Sequence, residues 1–158
     1  MVAKTLTFTL IAIALAAMAA LAANRYMRDP SALLEMSSLR VGRATVSVEI
    51  ADTRPSQVQG LSGRSSLPPG RGMLFVYGDA RPRNFWMKDM RFPLDAIWIA
   101  GRTVIGIQEN IPYQSEDGSI ARFQSHKPAD MVLEVNAGWV AGNGVKTGDV
   151  VELDKAGN

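Results

Sequence analysis

Cysteine is absent from all 158 residues, which removes disulfides, thiolate metal sites and cysteine nucleophiles together. Histidine is almost absent too. His126 stands alone, so a multi-histidine zinc site is ruled out, and the chain carries no His-Glu-x-x-His motif, Walker phosphate loop or glycine-rich dinucleotide fingerprint. No metal and no cofactor is therefore expected. An excess of one charge is lacking as well: 17 Lys and Arg stand against 15 Asp and Glu, and both signs are scattered rather than gathered into a basic stripe. Nucleic acid is not an expected partner. Ser125-His126 does not make a nucleophile and base, because neighbours on an extended chain point to opposite faces and no Gly-x-Ser-x-Gly elbow is present. Ser115-Glu-Asp-Gly118 lacks the alternating acidic ladder of a calcium loop and reads as a solvated turn.

What the chain does contain begins with residues 5–23, an uncharged apolar stretch of about the length that crosses a bilayer as a helix. Lys4 precedes it, Ala20-Leu-Ala22 offers a small-x-small cleavage site, and Arg25 and Arg28 follow. These features fit a cleaved secretory signal and a retained membrane anchor about equally; a helix buried in the fold is the lesser reading. Residues 1–23 are accordingly expected to be signal or anchor, 24–40 a linker and 41–158 one β-rich domain. The expected location is periplasmic or otherwise extracytoplasmic, with the membrane as a partner through the N-terminal segment. An exported domain without disulfides must hold together by packing, in keeping with 47% apolar residues.

Period-two alternation is the dominant signal beyond the linker. Residues 43–50 place Ala44, Val46, Val48 and Ile50 on one side, and residues 94–100 place Leu94, Ala96 and Trp98 opposite Asp95, Ile97 and Ile99. Strands are also expected at 72–77, 84–87, 103–109, 131–135 and 150–153, with a tight turn at Gly101-Arg102. The Asp52-Thr-Arg-Pro55 run marks a capped short helix over 55–61, and Asn136 is the expected cap of a second one ending at Asn143-Gly144. Seven strands, two short helices and no repeat indicate a mainly β fold: an antiparallel sandwich or partly closed, jelly-roll-like barrel.

The residues that could carry function are few. Trp86 and Lys88 would share a face if residues 84–88 are extended, presenting an indole and an ammonium to a sugar or other flat polar ligand; alternatively Trp86 is core and Lys88 lays its stem over the ring. Asp95 and Glu134 each stand between apolar neighbours in a strand, where a carboxylate must find donors or keep its proton. Lys88, Arg64 or backbone N–H groups could serve them. If the two converge they could form a general acid/base pair; otherwise each ties a loop to the sheet. Asp89 and Glu109 complete the candidate ligand-binding set of Trp86, Lys88, Asp89, Asp95, Glu109, Glu134 and Arg64.

Read in order, Val48-Glu-Ile-Ala-Asp-Thr53, Gln59-Gly-Leu-Ser-Gly-Arg64, Gly72-Met-Leu-Phe75, Phe85-Trp-Met-Lys88, Pro93-Leu-Asp95, Glu109-Asn110, Leu133-Glu-Val-Asn-Ala-Gly-Trp139 and Gly144-Val-Lys-Thr-Gly-Asp149 resemble the domain of unknown function 192 family over about residues 44–153. The resemblance implies a compact β fold of jelly-roll type, often behind a signal or anchor, and no known activity. The chain departs from the family pattern at Asp89 and Met90, where Asn and Thr are commoner, and at Ser62, where Met is common. Two functions are carried forward. One is a non-enzymatic envelope module binding a small polar ligand, such as a glycan, or a partner protein in a cleft edged by Trp86, Lys88, Asp95 and Glu134. The other is a carbohydrate-acting hydrolase using Asp95 and Glu134. A third, structural reading treats the family motifs as fold determinants, with Gly72, Gly138, Gly144 and Gly148 serving turns and Trp139 packing the second helix onto the sheet.

Overall fold

The computed structural model describes residues 11, 13–21 and 34–154. The chain separates into two units, Met1–Leu33 and Leu34–Asn158. In the first, the described residues are helical and exposed. Among the described residues no helix is long and apolar enough to cross a membrane; residues 5–10, 12, 22 and 23 of the expected 5–23 span, together with residues 24–33 of the expected linker, lie outside them.

The second unit runs β1 (Met36–Val41), β2 (Ala44–Ala51), α1 (Arg54–Gln59), β3 (Arg71–Arg81), β4 (Asn84–Trp86), β5 (Leu94–Ala100), β6 (Thr103–Ile111), β7 (Arg122–Gln124), β8 (Ala129–Asn136), α2 (Trp139–Asn143) and β9 (Val151–Asp154). Seven strands form one sheet in the order β6-β5-β8-β3-β2-β1-β9, and β4 pairs with β7 in a separate ribbon. The large sheet curls until its outer strands meet at one end. Thr103 bridges Val150, Val104 N–H donates to the Asp149 carbonyl at 2.9 Å and Val151 N–H to the Arg102 carbonyl at 2.8 Å. Glu152 of β9 ties the same corner by accepting from both Arg40 and Arg102. The result is a half-barrel of mainly β structure.

Alternation explains the two apolar layers. Leu39, Val46, Val48, Leu74, Ile97, Ile99, Leu133 and Val135 fill the inside of the curl, together with Val140 from α2. Met73, Phe75, Leu94, Ala96, Trp98 and Val132 point the other way, beneath the β4–β7 ribbon and the chain around α1. A strand such as β5 is thus buried on both faces, at every position but its last.

Several local features differ from the sequence expectation. β1 takes up the end of the expected linker; its Met-Ser-Ser-Leu-Arg-Val sequence has little alternation, and backbone pairing to β2 on one side and β9 on the other holds it. β2 and β3 run parallel, a direction that side-chain period cannot encode, because the intervening 52–70 segment with α1 acts as the crossover. β7 is too short, at three residues, to show a period. Thr53 caps α1 as expected, with a reciprocal Thr53–Ser56 capping box and proline inside the first turn. α2 instead starts from Gly138 in the left-handed region, while Asn136 spends its amide on the Leu67 carbonyl at 2.9 Å. Gly72 is also no turn residue. It sits in β3 where an added Cβ would come within 2.9 Å of the Glu134 carbonyl and 3.0 Å of Val135.

Candidate ligand-binding site

Between residues Val76 and Arg81 the β3–β8 register slips: five steps along β3 (81 − 76) correspond to two along β8 (131 − 129). The surplus chain swings out and opens a cavity of about 500 Å3 over the outer face of the sheet, within the range of small-molecule sites. One side is formed by α1, held in place by Gln57, whose amide donates to the Val76 carbonyl at 2.7 Å. The opposite side is the β4–β7 ribbon, anchored by Phe85. Its ring meets Phe75 edge-on at 5.1 Å and stacks on Phe123 at 5.4 Å. With Phe85 turned inward, its neighbour Trp86 turns outward to the mouth, where it is 46% exposed and has Arg122 5.9 Å from its ring.

Glu134 lies at the floor. It stands opposite Met73 on β3 and Ala96 on β5 and is only 5% exposed, yet it makes no hydrogen bond or ion pair among the described residues. No side-chain polar atom there is both sealed and unpartnered, so its carboxyl oxygens open onto the cavity. Burial alone pushes its pKa up to about 8, since nothing offsets the cost of a charge in this apolar setting. The group is therefore mostly protonated at neutral pH and can donate a hydrogen bond. Tyr77, on the same wall, is pushed up to about 12, first by burial and then by the nearby Glu134, against the lowering effect of Arg83. The Arg83 guanidinium lies 3.8 Å from the Tyr77 ring centroid and is fixed by the Ala129 carbonyl at 3.0 Å and Asp79 Oδ1 at 2.8 Å. That clamp sets the outline of the extruded segment.

Two cations stand at the mouth. Arg54 is exposed, lines the cavity and has no ion-pair partner among the described residues; Arg81 also lines it and pairs with the exposed Asp79 at 3.2 Å. Trp86 divides the cavity from a second hollow of about 480 Å3, which Lys88, Asp89 and Arg91 line. Lys88 and Asp89 belong to a turn rather than an extended strand. Asp89 adopts φ 57, a conformation tolerated by Asp and Asn, and the turn is clasped by the 62–63 segment: Gly63 N–H donates to the Asp89 carbonyl at 2.9 Å and Ser62 Oγ to that of Lys88 at 2.8 Å.

The expected set therefore divides. Trp86 and Glu134 share one cavity, and Lys88 and Asp89 border the adjoining hollow. Asp95 does not join them. Its register partner is Val135, next to Glu134, but adjacent strand positions face opposite ways, so Asp95 points into the curl. There its Oδ1 accepts Asn110 N–H at 2.8 Å and Oδ2 accepts Val140 N–H at 3.0 Å, tying the end of β6 and the start of α2 to the sheet. The acid/base pairing of Asp95 with Glu134 is thus not formed. Glu109 is exposed on β6 and lines neither hollow, and Arg64 forms a two-pronged ion pair with Glu49, at 2.7 and 2.6 Å, rather than meeting Asp95 or Glu134. Tyr77, Arg54 and Arg81 were missed. Tyr77 was readable, since it has the parity of Met73 and Phe75 with a polar tip at a strand end; the arginines carried no such mark. Among the described residues no three His, Asp or Glu side chains converge as a metal site requires.

The sequence profile of the domain of unknown function 192 family, described as "Uncharacterized ACR", matches residues 37–153. No curated protein matches the chain. Two crystal structures are similar. A protein of Sinorhizobium meliloti 1021 described as a candidate transcription regulator is 37% identical over 76% of this chain and 95% of its own, with a TM-score of 0.68. A protein of unknown function from Novosphingobium aromaticivorans DSM 12444 is 31% identical over 75% of this chain and 86% of its own, with a TM-score of 0.67.

Proposed function

Taking as premise that the chain belongs to the domain of unknown function 192 family, described only as uncharacterized, we propose that it is a non-enzymatic module that binds a small ligand in the cavity above Glu134. We further propose that it does so outside the cytoplasm, exported or anchored by residues 5–23. The carrying observation for ligand binding is the Glu134 carboxyl: buried, without a protein partner, and open to a cavity of about 500 Å3. Its oxygens reach the cavity, so a ligand that places a fitted hydrogen-bond partner against them gains on the order of 0.5–1.5 kcal/mol. Phe85, Trp86, Tyr77 and Leu61 give the apolar and aromatic walls such sites use.

The hydrolase reading loses its support with the second carboxylate. Glu134 is the sole Asp or Glu among the residues lining the cavity, whereas glycoside hydrolysis by the usual route needs a pair about 5–9.5 Å apart. The binding reading is tested by a thermal-shift screen of polar metabolites and glycans on the full chain, repeated on Trp86→Ala and on Val58→Trp, which crowds the mouth. Compounds that stabilise the parent and lose their effect in both variants are expected. A compound equally effective in all three binds elsewhere and removes the reading.

A further inference from the structure

Resting on that assignment of the cavity, we propose that its ligand is a small organic anion, with its charged group at the Arg54–Arg81 mouth, its apolar body against Trp86 and Leu61, and a neutral carbonyl or hydroxyl oxygen turned toward Glu134. The charges around the cavity carry the argument. Facing Glu134 from β3 are Tyr77, a neutral phenol, and Arg81 at the end of the strand; α1 contributes Arg54; β5 contributes only Leu94 and Ala96, and the ribbon Phe85 and Trp86. Arg81 is paired with Asp79 at 3.2 Å and Asp79 also meets Arg83, but no second acid lines the cavity to balance Arg54. Its one acid keeps its proton up to about pH 8.

A cationic ligand would be drawn to an ionised Glu134 but would have to displace its proton while passing the unpaired Arg54 beside the Arg81–Asp79 pair. An anion meets the opposite balance: attraction at the mouth and a hydrogen-bond donor, not a like charge, at the floor. A neutral ligand would use the floor and walls and leave Arg54 without a partner. The protonated floor and the cationic mouth thus act together, and each selects a different end of the same molecule.

Four probes of one shape separate these outcomes on the full chain: para-acetylbenzoate, its methyl ester, para-ethylbenzoate and para-acetylbenzylamine. Binding is read by ligand-observed NMR and by shifts of the Trp86 indole resonance. Para-acetylbenzoate is expected to bind tightest at pH 7, with the ester and the ethyl compound each weaker by about fivefold and the amine weakest. Arg54→Ala is expected to lower affinity for the two benzoates by about fivefold and leave the ester unchanged. Glu134→Gln, which keeps a neutral donor, should bind within about threefold of the parent. Parent affinity should fall roughly tenfold per pH unit above about 8, and the Gln variant should show no such fall. Preference for the amine, or equal binding of ester and acid, overturns the anion assignment while leaving the cavity as the site. If none of the four moves the indole resonance or competes at the cavity, the site assignment falls and the inference with it.

Discussion

Replacing Glu134 by glutamine isolates what it costs to hold an unpaired carboxyl group in an apolar wall. In the folded chain this group gives up its proton near pH 8, against 4.5 for the unperturbed side chain. Between those values the folded form binds one more proton than the unfolded form, so raising the pH favours unfolding. The group costs nothing below about pH 4.5, its penalty grows by about 1.4 kcal/mol per pH unit through the window, and it levels off above about pH 8 at roughly 5 kcal/mol. Glutamine has the same shape and no proton to lose. The two proteins should therefore have nearly equal stability at pH 4, and the variant should gain roughly 3 kcal/mol at pH 7, on the order of 10 °C in melting temperature. Urea denaturation of both chains across pH 4–9 measures the difference, and taking the difference removes the titration of every other carboxylate. Parallel stability curves would refute the reasoning, since they would mean that Glu134 titrates alike in the folded and unfolded states.

Three other substitutions probe different parts of the fold. Asp95→Ala removes the acceptor shared by the Asn110 and Val140 amides and should cost about 3–5 kcal/mol in urea denaturation; a loss under 1 kcal/mol would show that water replaces it readily. Gly72→Ala pushes a methyl group onto the Glu134 carbonyl and the Leu133 and Val135 side chains, for an expected loss of about 1–3 kcal/mol, and an unchanged unfolding midpoint would contradict the close packing. Trp86→Ala trims a half-exposed ring and should leave stability within about 1 kcal/mol while weakening para-acetylbenzoate binding; a large drop in melting temperature would instead make the indole part of the core.

Several strands were legible because short apolar runs with alternating side-chain character lie between turn signals. Residues 94–100 coincide with β5, and the apolar parity of 131–135 carried over to β8. Asp95 stood out in the sequence as a misplaced charge, and its use as an acceptor for backbone N–H groups was one of the readings open to it. What the sequence could not reveal was which face each acid would occupy: Asp95 and Glu134 pair in adjacent registers, and a shift of one residue exchanges the faces. The cavity was also hidden. It comes from a register slip in β3, and residues Gly78 to Ala80, after the expected 72–77 strand, look like an ordinary turn until their partner strand is known. Arg54 and Arg81 reach the mouth only because the crossover and the slip bring them there.

The sheet is joined across its widest separation in sequence where β1 meets β9. β9 pairs with β1, placing Asp154 beside Ser38, and the contact that draws the two edges together runs from Thr103 to Val150. A chain emerging from its N-terminal side cannot complete this fold until β9 is present, so the curl stays unzipped while earlier strands assemble, and closure comes as a late, non-local event of the kind that slows folding. Pulse-labelled hydrogen exchange during refolding should accordingly show the β9 amides and the β1 amides that pair with β9 gaining protection together, after those of β5 and β8.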